Sequence, residues 1–176
     1  MPTLSRDQLT RLTLDDISQG TSPLLVEPFQ LLRLAPGRSH EHKECELLKR
    51  LPKKLGAYYL IFRLDALWAN GGMQGVALDK DTEFSVPLLQ LTPVAFDLFG
   101  AVSAAAFLRE IVPVAVQAAG EIDVLVQRDA PDEEFDPIWA RLDSYDSYYD
   151  ETFSEVYSAI LADIHQHPHG WQPNEA

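Results

Sequence analysis

Cysteine is almost absent from this sequence, because Cys45 is its only thiol. A single thiol cannot form an internal disulfide, so packing and hydrogen bonds must hold the fold together. The first residues also lack the apolar core of a signal peptide, since charges begin at Arg6. These two absences predict a protein of a reducing compartment, and a cytoplasmic location is the expectation.

Long apolar runs free of charge and proline are also missing. The longest candidate for a membrane span, residues 98–119, contains Arg109, Glu110 and Pro113. A membrane-spanning helix needs about 20 consecutive, predominantly apolar residues. The sequence therefore predicts a protein without a membrane partner.

Basic residues are scarce in the last third of the chain. Residues 121–176 hold 14 acidic residues and only two basic ones, Arg128 and Arg141, whereas residues 1–120 hold 13 acidic and 12 basic residues. Nearly all of the net charge of −13 therefore lies after residue 120. Such a surface repels phosphate backbones and attracts cationic proteins, so it disfavours direct nucleic-acid binding and favours a basic protein partner. Acidic surfaces also serve solubility alone, and this alternative stays open.

The residues that are present suffice for one hydrophobic core. Hydrophobic residues make up 46% of the 176 residues and charged residues 23%, which is the composition of a folded domain. Apolar residues recur at steps of three and four along much of the chain. We therefore predict one all-α domain over residues 1–176, a compact arrangement of several helices with short loops.

Residues 58–79 form the best-defined stretch of the chain. As far as Asn70 the stretch is apolar around most of a helix circumference, which predicts a helix buried on more than one side. Asn70, Gly71 and Gly72 then predict a tight corner, because glycine adopts positive φ and allows a close approach of another segment. Asparagine suits the same place. No lysine, serine or threonine follows Gly72 as a phosphate loop would require, so we interpret the motif as structural.

Prolines and glycines predict the boundaries of the next helices. Pro93 is predicted to begin a helix, Pro113 to interrupt the following one and Gly120 to end it. Residues 122–126 alternate weakly, which predicts an extended or short helical segment.

The last third carries an acidic loop followed by an apolar stripe. Residues 128–137 predict a loop, and apolar residues at steps of three and four over residues 138–164 predict one amphipathic helix or two stacked ones. Asp143, Asp146 and Asp150 recur at the same steps. Side chains so spaced on a helix are about 5–6 Å apart at Cβ, close to the spacing of phosphates along a strand. Like charges at these steps destabilise an isolated helix, so the row favours a functional use.

Short blocks of residues occur in an order that resembles one family. The blocks include Asn70-Gly71-Gly72-Met73-Gln74, where the pattern is similar to N-N-G-G-F-x-Q, with Ala69 and Met73 in place of the first asparagine and the aromatic residue. The other matching residues are Tyr58, Tyr59, Leu64, Phe99, Gly100, Ala101, Leu142, Asp143, Tyr148, Tyr149, His167, Pro168 and Trp171. Together they resemble a bacterial domain family of otherwise unknown function that includes an acidic DNA-mimic protein. The resemblance covers about residues 55–171, so residues 1–54 are predicted to be a helical N-terminal extension.

The resemblance implies an acidic protein-binding module that occupies the DNA-binding surface of a basic partner such as a transcription factor. Carboxylates would then stand in for phosphates, and binding would weaken as salt rises. A homodimer is an open alternative to a monomer. The carboxylates that we predict to face the partner are Asp132, Glu133, Glu134, Asp136, Asp143, Asp146, Asp150, Glu151 and Glu155.

Two other classes of function remain open. A non-mimic interaction protein, such as an immunity-like or scaffold subunit, would bind through an apolar patch with little dependence on salt. A metal-dependent enzyme is the third class, because His165, His167 and His169 form an H-x-H-x-H array. Metal sites usually recruit ligands from separate elements, so a helix end is the preferred interpretation of this array.

Other catalytic groups are weakly indicated. Asp132 and Glu133 form a carboxylate pair, but a solvated loop lacks the burial that shifts a pKa toward acid–base chemistry. Cys45 lies near His40 and His42 in sequence, yet on one charged helix these side chains do not make an oriented triad. We therefore predict no enzymatic activity, no bound metal and no cofactor.

Overall fold

The computed structural model describes residues 4–19, 22–26, 28, 40–78 and 86–171, and every regular element among them is helical. The all-α prediction is confirmed. Of the predicted N-terminal extension, residues 1–3, 20, 21, 27 and 29–39 lie outside this description. The α-helices with described bounds are α1 (Arg6–Leu9), α2 (Leu14–Ser18), α3 (His40–Arg50), α4 (Lys53–Leu78), α5 (Val86–Leu98), α6 (Val102–Gln127), α7 (Asp136–Asp143) and α8 (Tyr149–Gln166). Short 3-10 turns occupy Asp132–Glu134, Asp146–Tyr148 and Pro168–Trp171.

The first two helices are short and are each begun by a capping box. In α1 the Ser5 hydroxyl accepts from the Gln8 N–H, and the Gln8 side chain accepts from the Ser5 N–H. Thr13 and Asp16 make the same reciprocal pair at α2. Such pairs satisfy backbone donors that a short helix would otherwise leave free. The Tyr58 hydroxyl donates to the Ile17 carbonyl at 2.7 Å, which joins α2 to the core helix α4.

Helix α4 passes through the centre of the domain. It contacts α3, α5, α6, α7 and α8. Tyr58, Tyr59, Ile61 and Leu64 are almost completely buried along it. The prediction of a helix buried on more than one side is therefore confirmed.

The predicted corner is a kink inside α4. Gly72 is its only non-helical residue, with φ 61° and ψ −166°, and the helix resumes after it and continues to Leu78. Gly71 keeps helical geometry, and an added Cβ there would meet no atom within 4 Å. Gly72 thus supplies both the positive φ and the close approach.

Both helix boundaries predicted at prolines are wrong. Pro93 lies inside α5, and Pro113 lies inside α6. A proline leaves the carbonyl four residues earlier without its N–H donor. In α5 the buried Thr92 hydroxyl donates to that carbonyl, Leu89 O, at 2.7 Å, so the helix continues. In α6 the side chain of Pro113 is exposed.

Helix α6 also continues past the predicted end at Gly120. Gly120 is exposed, and no atom lies within 4 Å of an added Cβ. Residues 122–126, which were expected to be extended or a short helix, lie in its last two turns and remain α-helical. With 26 residues, α6 is long and apolar enough to cross a membrane by length and composition. Its buried residues between Ala104 and Leu125 belong to the core, so length gives only weak support for a span.

The apolar stripe after residue 137 is divided between two helices. Residues 144–148 form turns and a 3-10 segment between α7 and α8. Ile138 and Leu142 of α7 are buried, and so are residues of α8 from Phe153 to Ile164. The alternative of two helices is confirmed. Asp143, Asp146 and Asp150 consequently do not follow one continuous α-helix.

Candidate protein-binding site

Five of the predicted carboxylates have no hydrogen-bond or ion-pair partner within the described part of the chain. All five side chains belong to exposed residues. They lie in two groups, one at the 3-10 turn before α7 and the start of α7, the other in the first turn of α8. Negative charge at a helix start is stabilised by the helix dipole, which allows both groups to be tolerated without cations. The five residues are Asp132, Glu133, Asp136, Asp150 and Glu151.

The two basic residues of the last third both form ion pairs with carboxylates. Arg128 forms an ion pair with Glu134. Arg141 forms one with Glu121, and its hydrogen bond is the main reason that the pKa of Glu121 is lowered. Neither arginine contacts the five carboxylates above through any described ion pair. Their negative charge is therefore uncompensated by this region's own bases.

Asp146 is a structural residue and is removed from the phosphate-mimicking set. Its Oδ1 accepts from Trp68 Nε1 and from the Met73 N–H, both at 2.8 Å. An added Cβ at Gly72 would overlap the same carboxylate. Asp146 thus satisfies a backbone donor freed by the kink, and its charge is directed into the protein. Asp143 lies beside it and accepts from Gln74 Nε2 at 2.6 Å.

Glu155 also has an internal role, because it caps the start of α6. Its two carboxylate oxygens accept from the Ser103 N–H at 3.2 Å and from the Ala104 N–H at 3.0 Å. The N-cap residue Ala101 has no side chain that could do this. Of the nine predicted carboxylates, Glu134, Asp143, Asp146 and Glu155 are therefore held by other groups of the chain.

A small cleft lies where the starts of α6 and α8 meet. Its volume is about 200 Å³. Tyr148 is 48% exposed, and the centroids of the Tyr148 and Phe107 rings are 4.8 Å apart. The cleft is lined by Ser103, Ala104, Phe107, Tyr148, Glu151, Thr152 and Glu155. The unpaired carboxylate of Glu151 and the aromatic rings of Phe107 and Tyr148 therefore line the same cleft.

A second concave surface is apolar and lies between α3, α4 and α5. The groove has a volume of about 420 Å³. Leu91 and Val94 of α5 line it and are 46% and 60% exposed. Its remaining lining residues are Leu48, Lys53, Gly56, Ala57, Leu60, Ala95 and Leu98. This groove is an apolar patch of the kind that the alternative interaction function requires.

The sequence did not single out Asp65, a buried carboxylate of the core. Asp65 is 8% exposed and accepts hydrogen bonds from the hydroxyls of Tyr149 and Tyr157, the latter at 2.5 Å. Burial raises the pKa of Asp65, although both tyrosine hydrogen bonds act in the opposite direction. Burial and the nearby Asp65 charge in turn raise the pKa of Tyr157. The network joins α4 to α8, and an isolated Asp in an apolar run is the only signal for it in the sequence.

The histidine array is divided among different contacts. His165 Nε2 lies 3.0 Å from Leu12 O, whereas His167 Nδ1 lies 3.2 Å from Asp163 Oδ1. His169 is in the last 3-10 turn. Within the described residues, no three side chains of the His, Cys, Asp and Glu types come together as a metal site. Cys45 is half-buried, and the side chains of His40 and His42 lie outside the described part.

Residues that carry the family resemblance occupy the core and the kink. Trp171 lies against the rings of Tyr58 and Phe99, with centroid distances of 6.1 and 5.5 Å. Trp171 Nε1 also donates to Asp163 at 2.8 Å. These contacts hold the last described turn, which contains Trp171, against the core. The shared residues therefore bear on the fold more directly than on a partner.

Comparison with protein-family models, with curated proteins and with solved structures found no significant match. The family resemblance consequently remains a prediction from the quoted residues.

Proposed function

We propose that this chain is an acidic protein-binding module that occupies the DNA-binding surface of a basic partner. The observation that carries the proposal is the set of five exposed carboxylates without partners, in a region whose two arginines are both paired. A surface of this kind attracts cationic proteins over distances comparable to the Debye length, about 8–10 Å at physiological salt.

The distribution of charge favours partner binding over solubility as the reason for these acids. Residues 1–120 reach near-neutrality with 13 acidic and 12 basic residues, although they form much of the same domain. If solubility alone were selected, acids would be expected over the whole surface. The resemblance to a family with a DNA-mimic member, which is independent of the charge count, points to DNA-binding proteins as the partner class.

Affinity capture from native lysate at low and at high salt tests this proposal. The test variant carries Asp132→Asn, Glu133→Gln and Asp150→Asn, three exposed acids without partners. The control variant carries Asp7→Asn, Asp15→Asn and Glu110→Gln, which are also exposed and which change the net charge equally. We expect a DNA-binding protein to be captured by the wild type and the control, and to be lost with the test variant and at high salt.

Capture that is unaffected by salt and by the test variant would contradict the proposal. Equal loss of capture with the test and control variants would show that net charge alone determines binding, and that these three acids have no specific role.

The apolar groove between α3, α4 and α5 supports a second candidate function, a non-mimic interaction protein. Binding there would persist at high salt, because buried apolar area is insensitive to charge screening. Val94→Ser is the corresponding test, since Val94 is 60% exposed and lines the groove. Loss of capture with Val94→Ser but not with the acidic test variant would favour this alternative.

A further inference from the structure

We infer that the cleft between the starts of α6 and α8 receives an arginine side chain. The inference rests on the proposed function, because the arginine would come from the basic partner. It adds a defined point of recognition to a charged surface that otherwise has only long-range attraction.

Two helices supply complementary walls to the cleft. Tyr148, Glu151, Thr152 and Glu155 all line it, and their spacing of three, one and three residues puts them on one side of the first turns of α8. The opposite wall is formed by Ser103, Ala104 and Phe107 in the first two turns of α6. The lining therefore presents an aromatic surface beside two carboxylates four residues apart.

The cleft is unsuited to an anion although it lies at a helix N-terminus. The N–H groups that usually bind anions there are used internally. Val102 N–H donates to Gly100 O, and Ala105 N–H donates to Ala101 O, each at 2.9 Å. Glu155 accepts from the other two donors of this turn. No lysine or arginine lines the cleft, so it offers a ligand carboxylate oxygens, hydroxyls and ring faces but no cation.

The remaining groups match a guanidinium ion. Glu151 is exposed and has no described partner, so both of its oxygens are available to a planar, bidentate donor. The Tyr148 ring, packed on Phe107, offers a face for cation–π stacking, which arginine uses more often than lysine. At about 200 Å³ the cleft is smaller than pockets for drug-sized ligands, which measure about 300–1,000 Å³. It accommodates the end of one side chain.

Titration of the full chain with ethylguanidinium, followed by amide NMR shifts, tests the inference without knowledge of the partner. We expect saturable shifts at Ala104, Phe107 and Thr152. Glu151→Gln and Tyr148→Leu should each weaken the apparent affinity by about fivefold or more, since each removes a charge-assisted or cation–π contact. Ethylammonium should bind more weakly than ethylguanidinium.

Glu110→Gln is the matched control, because Glu110 is an exposed acid that neither lines the cleft nor belongs to the proposed partner-facing carboxylates. Its titration should equal that of the wild type. Glu151 and Tyr148 are exposed, and unchanged thermal unfolding of their variants would show that the fold persists. Non-saturable shifts spread over all acidic residues, or equal losses with Glu151→Gln and Glu110→Gln, would overturn the inference.

Failure of the cleft and failure of the proposed function give different results. If the cleft does not bind ethylguanidinium but a salt-sensitive DNA-binding protein is captured, only the arginine site is wrong. The opposite result is that ethylguanidinium binds as expected while capture of the partner is unaffected by salt and by the acidic test variant. In that case the proposed function is wrong, and so is the inference that the arginine comes from a DNA-binding protein.

Discussion

Gly72 adopts a backbone conformation that residues with a side chain rarely accept. Its φ of 61° with ψ of −166° lies outside the regions that L-residues populate, and its missing side chain makes room for the Asp146 carboxylate. The carboxylate in turn accepts from the Met73 N–H, the donor that follows the kink. Glycine and aspartate at these positions are therefore one structural unit.

Substitution of Gly72 by alanine should be far more harmful than substitution of its neighbour. Gly72→Ala is expected to lower the free energy of unfolding by about 2–4 kcal/mol, because it adds backbone strain and displaces the Asp146 carboxylate. Gly71→Ala should be neutral or stabilising by up to about 1 kcal/mol, since Gly71 is helical and an added Cβ meets nothing. Urea denaturation of both variants checks this, and equal effects would contradict the assignment of the kink.

Asp65 makes stability depend on pH in an unusual direction. Its pKa is raised in the folded state by burial, so the native state binds more protons than the unfolded state above the ordinary value of 3.8. The contribution of Asp65 to stability is therefore fully present below that pH and is lost as pH rises through the raised pKa. The wild type should lose stability in this window relative to Asp65→Asn, which cannot ionise.

Denaturant titrations of wild type and Asp65→Asn between pH 3 and pH 8 measure this difference. The difference in free energy of unfolding, variant minus wild type, should increase with pH. Asp150→Asn is the control for the removal of an acidic side chain from an exposed position. A constant difference for Asp65→Asn would show that its carboxyl titrates alike in both states.

Among the elements, α5 shows how a helix accepts a proline. The Pro93 ring removes the donor for Leu89 O, and the Thr92 hydroxyl replaces it. Thr92→Val should therefore cost about 1–2 kcal/mol, because it leaves a buried carbonyl without a donor. In a Pro93→Ala background the backbone N–H returns, and the cost of Thr92→Val should become smaller.

A double-mutant cycle of Thr92→Val and Pro93→Ala isolates this coupling. Additive effects would contradict the replacement of the N–H by the hydroxyl. Thr152→Val is a useful comparison, because the Thr152 hydroxyl donates to the carbonyl of Tyr148, whose helical donor is the Thr152 N–H, and the substitution leaves that N–H in place. Thr152→Val should therefore lower the free energy of unfolding by less than Thr92→Val does.

The start of α4 and the end of α8 are joined by one partly buried ion pair. Lys54 Nζ donates to both oxygens of Asp163 at 2.6 and 2.7 Å across a separation of 109 residues. Burial opposes ionisation of Asp163, but the hydrogen bonds from Lys54, Trp171 and His167 and the charge of Lys54 together lower its pKa. Its stabilising effect is therefore present above the ordinary value of 3.8 and is lost as pH falls through the lowered pKa.

Lys54→Met should lower the free energy of unfolding by about 1–3 kcal/mol at pH 7, because a charged hydrogen-bond donor is lost. Lys49→Met is the matched control. Lys49 pairs with Glu46 on the surface, where the two side chains are 71% and 46% exposed, and such pairs contribute about 0–1 kcal/mol. Thermal unfolding at pH 7 distinguishes the two, and equal shifts would refute a structural role for the Lys54 pair.

Local pattern predicted the helices well and their ends poorly. The buried helix before Asn70 and the stripe that begins at Ile138 follow from apolar periodicity, which acts over a few residues. At Pro93 in α5 the lost backbone donor is replaced by a side-chain hydrogen bond that composition does not reveal. Asp146 was expected on the surface because its spacing suits a helix, whereas its actual partners, such as Met73, lie more than 70 residues away.

For the whole molecule, the decisive property is the separation of charge along the chain. Residues 121–176, with 14 acidic and two basic residues, pack in the same helical domain as residues 1–120, which are nearly neutral. Sequence counting predicts this asymmetry fully, since it requires no tertiary information. The sequence could not predict which acids are available to a partner. The hydrogen bonds of Glu155 to the start of α6 and of Asp143 to Gln74 form only on folding.

Competition with DNA tests the central claim most directly. A labelled duplex is bound to the DNA-binding protein captured by this chain, and fluorescence anisotropy is followed as this chain is added. We predict that the wild type releases the duplex, that release weakens steeply as salt rises, and that the variant of Asp132, Glu133 and Asp150 fails to release it. A ternary complex in which the duplex stays bound would contradict occupation of the DNA-binding surface.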